Sequence, residues 1–257
     1  MSARGPVRSA RHSADPARQA RPRVPVRAVI AAAARAGRRE PWRVLAVAVP
    51  LTVCTAAAEI LIDHYVKPTS LLLSLAGTIS TTGLSLLATV FISGVLCRIV
   101  GEVEHGQEHL TIRQIAKALP WVRLALADLL VVVLVVIGLL ALVIPGLIAG
   151  NLLAVTGPVI EIEHQHVRAA LRRSARLVRP HFWSVALLAT LPVLVASGVE
   201  TLVPEPHGVA EILEALAVRG LAEGLIEAAI GLILVELCYR LIALAALRAK
   251  RSDPTPR

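Results

Sequence analysis

Aromatic residues are scarce in this sequence: phenylalanine, tyrosine and tryptophan together make up 3% of its 257 residues. None precedes Trp42, although residues 1–43 are strongly basic, with eleven arginines against Asp15 and Glu40. Proteins that bind single-stranded nucleic acid usually stack its bases on aromatic side chains. We therefore expect no nucleic-acid partner. The basic segment is better interpreted as a signal that sets membrane orientation and also contacts anionic lipid.

Cysteine is also scarce, and its positions exclude most cysteine chemistry. Cys54, Cys97 and Cys238 lie in apolar runs without the spacing of metal ligands. Such cysteines behave as small buried hydrophobic residues. We expect no cofactor and no bound metal.

Residues 1–43 also lack an apolar period, and they are rich in proline, alanine and serine. A segment of this kind cannot bury enough surface to offset the entropy lost on ordering. We expect a disordered basic cytoplasmic tail over 1–43, a transmembrane domain over 44–250 and a short tail over 251–257.

Charged residues are almost absent from six long apolar runs, in a chain that is 56% hydrophobic. A membrane-spanning helix needs about 20 apolar residues. The runs predict an all-α polytopic membrane helix bundle with six transmembrane helices and a cytoplasmic interfacial helix rich in arginine. The predicted spans are 44–62, 71–97, 124–144, 147–162, 183–203 and 221–247.

The third and fourth spans come from one apolar stretch of twice the necessary length, between Trp121 and Ile162. Pro-Gly pairs favour tight turns. We therefore predict a structural turn at Pro145 and Gly146, which folds the stretch into a helical hairpin.

Basic residues are distributed very unevenly between the two sides that six spans define. One side, which holds both termini, carries 24 lysines and arginines, whereas the other carries Lys67 and Arg219. Cytoplasmic loops of membrane proteins carry the excess of basic residues. We predict a multi-pass protein of the cytoplasmic (inner) membrane with both termini in the cytoplasm.

Five arginines follow the fourth span: Arg168, Arg172, Arg173, Arg176 and Arg179. All but Arg173 share one helical face, and Val167, Leu171, Ala175 and Val178 form an apolar stripe beside it. Such a helix can lie in the membrane interface with its guanidinium groups on lipid phosphates. The alternative is that these arginines only set the topology.

Ionisable residues within membrane spans are costly and are functional candidates. Here they are Asp128, Glu227, Glu236 and Arg240. The i, i+4 spacing of Glu236 and Arg240 predicts an ion pair within one helix. A proton- or cation-coupled carrier is the alternative use of the three carboxylates, but nothing in the sequence shows that they converge.

Small hydroxyl residues recur at spacings of three or four in the second run, which indicates one helical stripe. They are Ser74, Thr78, Thr81, Ser85, Thr89 and Ser93. The stripe suits close helix packing, and a hydrophilic pathway is the alternative.

Residues His105-Gly106-Gln107-Glu108-His109 match the His-x-x-Glu-His pattern of some zinc peptidases. Gly106 weakens a helix there, so we interpret the segment as a solvated loop. Glu163, His164 and His166 form a second, equally weak metal cluster with the same alternative.

A resemblance to a bacterial integral-membrane family rests on four groups of residues. They are Ile144-Pro145-Gly146, Pro158-Val159-Ile160-Glu161, the arginine–serine pattern over 169–179, and Phe182-Trp183. These residues resemble the family related to the membrane domain of glycerophosphoryl diester phosphodiesterases, over about residues 120–190. The resemblance implies a six-helix bundle.

That resemblance argues against phosphodiesterase activity in this chain. The catalytic domain of those enzymes follows the membrane part, whereas about ten residues follow the last span here, and no His-Arg-Gly signature is present. We expect a non-enzymatic accessory, scaffold or lipid-interacting membrane module that contacts anionic headgroups, with homo- or hetero-oligomers possible. The alternative is a small transporter or exporter subunit.

Overall fold

The computed structural model describes residues 24–65, 88–89, 91–189 and 209–252, and all regular structure in these ranges is helical. The first five helices are α1 (Val26–Arg39), α2 (Pro41–Tyr65), α3 (91–105), α4 (Ile112–Ala118) and α5 (Trp121–Ala141). The remainder are α6 (Val143–Leu153), α7 (Thr156–Glu163), α8 (Val167–Val178), a 3₁₀ turn (Arg179–His181), α9 (182–189) and α10 (Val209–Ser252). The all-α prediction is confirmed for this part of the chain.

Four helical stretches in the described ranges are long and apolar enough to cross a membrane. They are Pro41–Ile62, Trp121–Gly138, Ile144–Glu163 and Leu216–Lys250. They coincide with the first, third, fourth and sixth predicted spans. Most of the second and fifth predicted spans, 71–97 and 183–203, lies outside the described residues. The chain is therefore an all-helical protein with helices suited to a membrane.

The expectation of disorder over 1–43 needs correction, because residues 26–39 form helix α1. Val29, Ala32, Ala33 and Ala36 follow i, i+3, i+4, i+7 spacing, and each is at most 4% exposed. This stripe packs on α10. Gly37 of α1, which has no Cβ, lies against Leu232 of α10. Small alanine side chains let the two helices approach closely, which stabilises a helix that composition alone does not predict. The part of the tail before residue 24 lies outside the described residues.

The hairpin turn also differs from its prediction. The helix breaks at Leu142, whose backbone is extended (φ −168°, ψ 144°), and Pro145 and Gly146 lie in the first turn of α6. Proline is tolerated there because N–H groups in a first helical turn have no intrahelical partner. Gly146 instead provides close packing, since a Cβ built on Gly138 of α5 would lie 2.7 Å from its Cα.

The returning arm of the hairpin is interrupted between α6 and α7. Pro158 has no N–H to donate to the carbonyl of Ala154, so the helical ladder is broken at that point. The Thr156 hydroxyl donates to the Leu153 carbonyl at 2.7 Å and satisfies one of the freed acceptors. The interruption turns α7 toward α8 and α10, which it contacts.

Helices α2 and α10 run antiparallel and cross at two glycines. Gly220 lies against Val53, and Gly224 lies against Val49 and Thr52. The Thr52 hydroxyl donates to the Gly220 carbonyl at 2.8 Å, which is a hydrogen bond between the two helices. Small residues and interhelical hydrogen bonds are the usual means of packing helices in membranes.

We predict that Gly138→Ala destabilises the hairpin by about 1–3 kcal/mol, because the added methyl group meets the Gly146 backbone. Gly150→Ala is the matched control, since its methyl group would meet only Val135 at an ordinary 3.6 Å. The control should be neutral or stabilising by up to about 1 kcal/mol. Unfolding in mixed micelles measures both, and equal behaviour of the two variants would contradict the close approach.

Candidate functional site

Ion pairs join α1, α2, α3 and α10 at one end of the bundle. We call this region the polar end and define it by Arg35, Arg43, Glu102, Glu104, Glu236 and Arg240. Its three pairs are Arg43 Nη1–Glu102 Oε2 at 2.6 Å, Arg240 Nε–Glu236 Oε1 at 2.7 Å and Arg35 Nη2–Glu104 Oε2 at 3.0 Å. The pair that the i, i+4 spacing predicts, Glu236–Arg240, is thus present.

The polar end also ties loops and helix termini together through these same guanidinium groups. Arg43 Nη2 donates to the Leu110 carbonyl at 2.7 Å, and the Leu110 N–H donates to Glu102 at 2.9 Å. Arg240 Nη2 donates to the Ala28 carbonyl in α1 at 3.0 Å. Arg43 and Arg240 therefore each bridge a carboxylate and a backbone acceptor on another segment, and Arg35 joins α1 to Glu104 of α3. Together these contacts connect the four helices.

The two carboxyls on α3 remain ionised for a physical reason. Burial acts to raise the pKa of Glu102, but hydrogen bonds from Arg43 and from the Leu110 N–H, together with the charge of Arg43, hold that pKa below its usual 4.5. The hydrogen bond from Arg35, aided by its charge, likewise lowers the pKa of Glu104. Both carboxyls are stable as anions because their partners compensate for burial.

The two histidines of the His-x-x-Glu-His segment have different partners. His105 ends α3 and stacks on Tyr239 with ring centroids 3.9 Å apart, whereas His109 Nε2 lies 3.2 Å from Arg43 Nη1. Gly106 adopts a positive φ of 67°, which ends the helix between the two histidines. Within the described ranges, no three His, Cys, Asp or Glu side chains are placed so that they could hold a metal ion. This also applies to Glu163, His164 and His166.

Four arginines lie in α8 and a fifth, Arg179, begins the 3₁₀ turn that follows it; one of the five is paired and four are exposed. Arg173 donates to Glu163 at 2.8 Å. The other four are exposed and define what we call the arginine face: Arg168, Arg172, Arg176 and Arg179. None of these four contacts a carboxylate in the part of the chain that the structure describes. Arg176 Nε donates to the Arg172 carbonyl at 3.3 Å.

The buried side of α8 differs from the predicted apolar stripe. Ala170, Ser174, Leu177 and Val178 are buried, whereas of the predicted stripe only Val178 is. The Ser174 hydroxyl donates to the Leu152 carbonyl in α6 at 2.8 Å. A serine thus holds the middle of α8 against α6. A search for apolar residues alone does not identify this serine as buried.

A histidine–arginine contact ties α10 to the turn after α8. His181 Nε2 lies 2.9 Å from Arg248 Nη2. Burial lowers the pKa of His181, and the charge of Arg248 lowers it further. The ring is therefore neutral near pH 7, and its unprotonated nitrogen accepts the hydrogen of Arg248.

Two exposed tryptophans lie near the beginnings of helices. Trp42 and Trp183 are 78% and 83% exposed, and they lie in the first turns of α2 and α9. Tryptophan is enriched at membrane–water interfaces. Arg179 precedes Trp183 by four residues, so the arginine face lies close to one of these tryptophans.

Two of the three carboxylates that the sequence predicts to be intramembrane line the same cavity. Asp128 and Glu227 line one cavity of about 320 Å³ between α3, α5, α7 and α10. Thr89 and Ser93 of the hydroxyl stripe also line it, and the Thr89 hydroxyl lies 3.5 Å from Glu227 Oε1. Glu236 lies at the polar end instead, where Arg240 holds it. The sequence identified these residues but not their grouping.

Glu161 is a buried carboxylate of α7. It is 6% exposed, and its Oε1 atom has no hydrogen-bond partner among the described residues. It lines a small pocket with Cys97, Arg98, Gln107 and Tyr239. Its position at the end of an apolar run is the signal that could have singled it out.

Comparison of the chain with protein-family models, with curated proteins and with solved structures found no match to any of them.

Loss of charge on Glu102 at low pH should destabilise the fold. Because the pKa of Glu102 in the folded protein lies below its usual 4.5, ionised Glu102 stabilises the fold fully above pH 4.5. This stabilisation is lost as the pH falls below 4.5 and through the lower pKa of the folded protein. We expect the thermal midpoint to fall less steeply below pH 4.5 in Glu102→Gln than in the unmodified protein. Glu108→Gln, an exposed carboxylate of the adjacent loop, is the control and should keep the full pH dependence. Identical curves for all three proteins would exclude the Arg43–Glu102 pair as a source of stability.

Proposed function

We propose that this chain is a non-enzymatic, multi-pass protein of the cytoplasmic membrane that binds anionic lipid headgroups through the arginine face of α8. It would act there as an accessory or scaffold module. The observation that carries the proposal is the exposure of four guanidinium groups on one face, with no carboxylate from the described residues against them. Lipid phosphates are acceptors of suitable charge and geometry for such groups.

The position of α8 supports this proposal. The helix is fixed to α6 and α7 through Ser174 and through the Arg173–Glu163 pair, so its arginine face keeps one orientation. The exposed Trp183, four residues after Arg179, is suited to the headgroup level of a membrane. A rigid helix at that level holds its charges where phosphates are found, without a large entropic cost on binding.

Six spans, with both termini in the cytoplasm, are part of the same proposal. The excess of basic residues supports this orientation. The resemblance to the membrane part of glycerophosphoryl diester phosphodiesterases supports only the six-helix arrangement in this proposal. It brings no catalytic activity to this chain.

A small transporter or exporter subunit is the second candidate function. The observation that favours it is the shared cavity of Asp128 and Glu227, because ionisable residues within a membrane often mark the path of a substrate or a coupling ion. Glu236 is not a candidate residue for transport, because it is already paired with Arg240 at the polar end.

Replacing Arg168, Arg172 and Arg176 together with Gln should remove co-purifying anionic lipid. Each arginine near an anionic surface contributes about 1 kcal/mol, so the affinity should fall by up to roughly 100-fold. Native mass spectrometry with added phosphatidylglycerol or cardiolipin measures the retained lipid. The control replaces three other exposed basic residues with Gln: Arg113, Lys117 and Arg123. If both variants lose lipid equally, or if neither loses lipid, the arginine face is not the recognition site.

Fusions to alkaline phosphatase and to a fluorescent protein test the orientation. We expect phosphatase activity from a fusion at Lys67, a position outside the described residues, and fluorescence from a fusion at the C-terminus. The reason is that basic loops remain in the cytoplasm during insertion. An active phosphatase at the C-terminus would overturn the proposed topology.

A further inference from the structure

The cavity between α3, α5, α7 and α10 has mainly aliphatic walls and two carboxylates. Ile92, Leu124, Val131, Ile230 and Leu234 are among its aliphatic lining residues. Its volume of about 320 Å³ is at the lower end of the range of small-molecule sites, about 300–1,000 Å³. The cavity therefore has the size and lining of a site for a compact apolar molecule.

The two carboxylates come from different helices and are half-buried. Asp128 is seven residues into α5, or about 10 Å along its axis, and Glu227 lies nine residues before Glu236, or about 14 Å along α10. Helix geometry thus separates Glu227 from the polar end. Both residues lie in predicted membrane spans, where an ionised carboxylate requires a partner or a proton.

Among the described residues that line the cavity there is no Lys, Arg or His to supply that partner. Asp128 makes no hydrogen bond or ion pair within the described ranges, and Glu227 has only the long contact from Thr89 at 3.5 Å. At the polar end, by contrast, each carboxylate has an arginine nitrogen within 3.0 Å. Within the described residues, no basic side chain compensates the negative charge of the cavity.

We propose that this cavity binds a monovalent organic cation, an ammonium group that carries a compact apolar body. The apolar part would contact the aliphatic walls, and the ammonium group would lie between Asp128 and Glu227. A hydrated divalent metal ion fits poorly, because it takes about six oxygen ligands and the walls are mainly aliphatic. The inference rests on the second candidate function for its biological use, but binding is measurable without transport.

Benzyltrimethylammonium is the probe, because its charge does not depend on pH, and neopentylbenzene is its neutral isostere. The full-length protein in detergent is treated with dicyclohexylcarbodiimide, which modifies protonated carboxyl groups in apolar surroundings, and peptide mass spectrometry reports each carboxyl. We expect the cation to slow modification of Asp128 and Glu227 at least tenfold and the neutral isostere to leave it unchanged. Equal protection by both compounds, or by neither, overturns the proposal.

Equilibrium dialysis of labelled benzyltrimethylammonium gives the affinity directly. Asp128→Asn and Glu227→Gln should each weaken binding at least tenfold, and two variants keep the test valid if one fails to fold. Glu108→Gln is the control with the same loss of charge outside the cavity. Unchanged affinity in a folded cavity variant rejects the site.

Counterflow in proteoliposomes separates this inference from the transport proposal. If the cation binds in the cavity but does not cross the membrane, the binding site stands and transport of this class of compound fails. If the cation crosses at the same rate in a folded Asp128→Asn variant, transport stands and the cavity is not its site.

Discussion

Each charge in this chain must be paired, hydrated or neutralised, because an unpaired ion in hydrocarbon is costly. The arrangement of the helices reflects this constraint. At the polar end, Arg43 and Glu102 form a pair in which Arg43 also holds the loop carbonyl of Leu110. Removing either member leaves a buried group without its partner, and breaking such pairs typically costs about 3–5 kcal/mol. The positions of α2 and α3 therefore depend on a charge pair as much as on apolar packing.

Hydropathy predicts the elements of this structure better than it predicts their contacts. The four apolar stretches coincide with predicted spans because length and composition decide whether a helix suits a membrane. Helix α1 was missed because its buried stripe consists mainly of alanine, which hardly changes the hydropathy of an arginine-rich segment. The i, i+3, i+4, i+7 spacing of Val29, Ala32, Ala33 and Ala36 is the signal that predicts it.

Local sequence rules failed at the hairpin for a different reason. A Pro-Gly pair is compatible both with a turn and with the first turn of a helix, so it locates the hairpin only to within a few residues. The choice depends on Gly138, which allows α5 to approach Gly146. Likewise, the sequence singled out Asp128, Glu227 and Glu236 as costly residues, but only tertiary packing shows which two share a cavity.

Helix α10 connects the two regions where charge matters. It carries Glu236 and Arg240 at the polar end and Glu227 in the cavity, on one continuous helix. Helix α1 packs on α10 and receives a hydrogen bond from Arg240 at the Ala28 carbonyl. Helix α10 is therefore the element that the polar end, helix α1 and the cavity have in common, so one continuous helix places both the paired and the unpaired carboxylate of the described region.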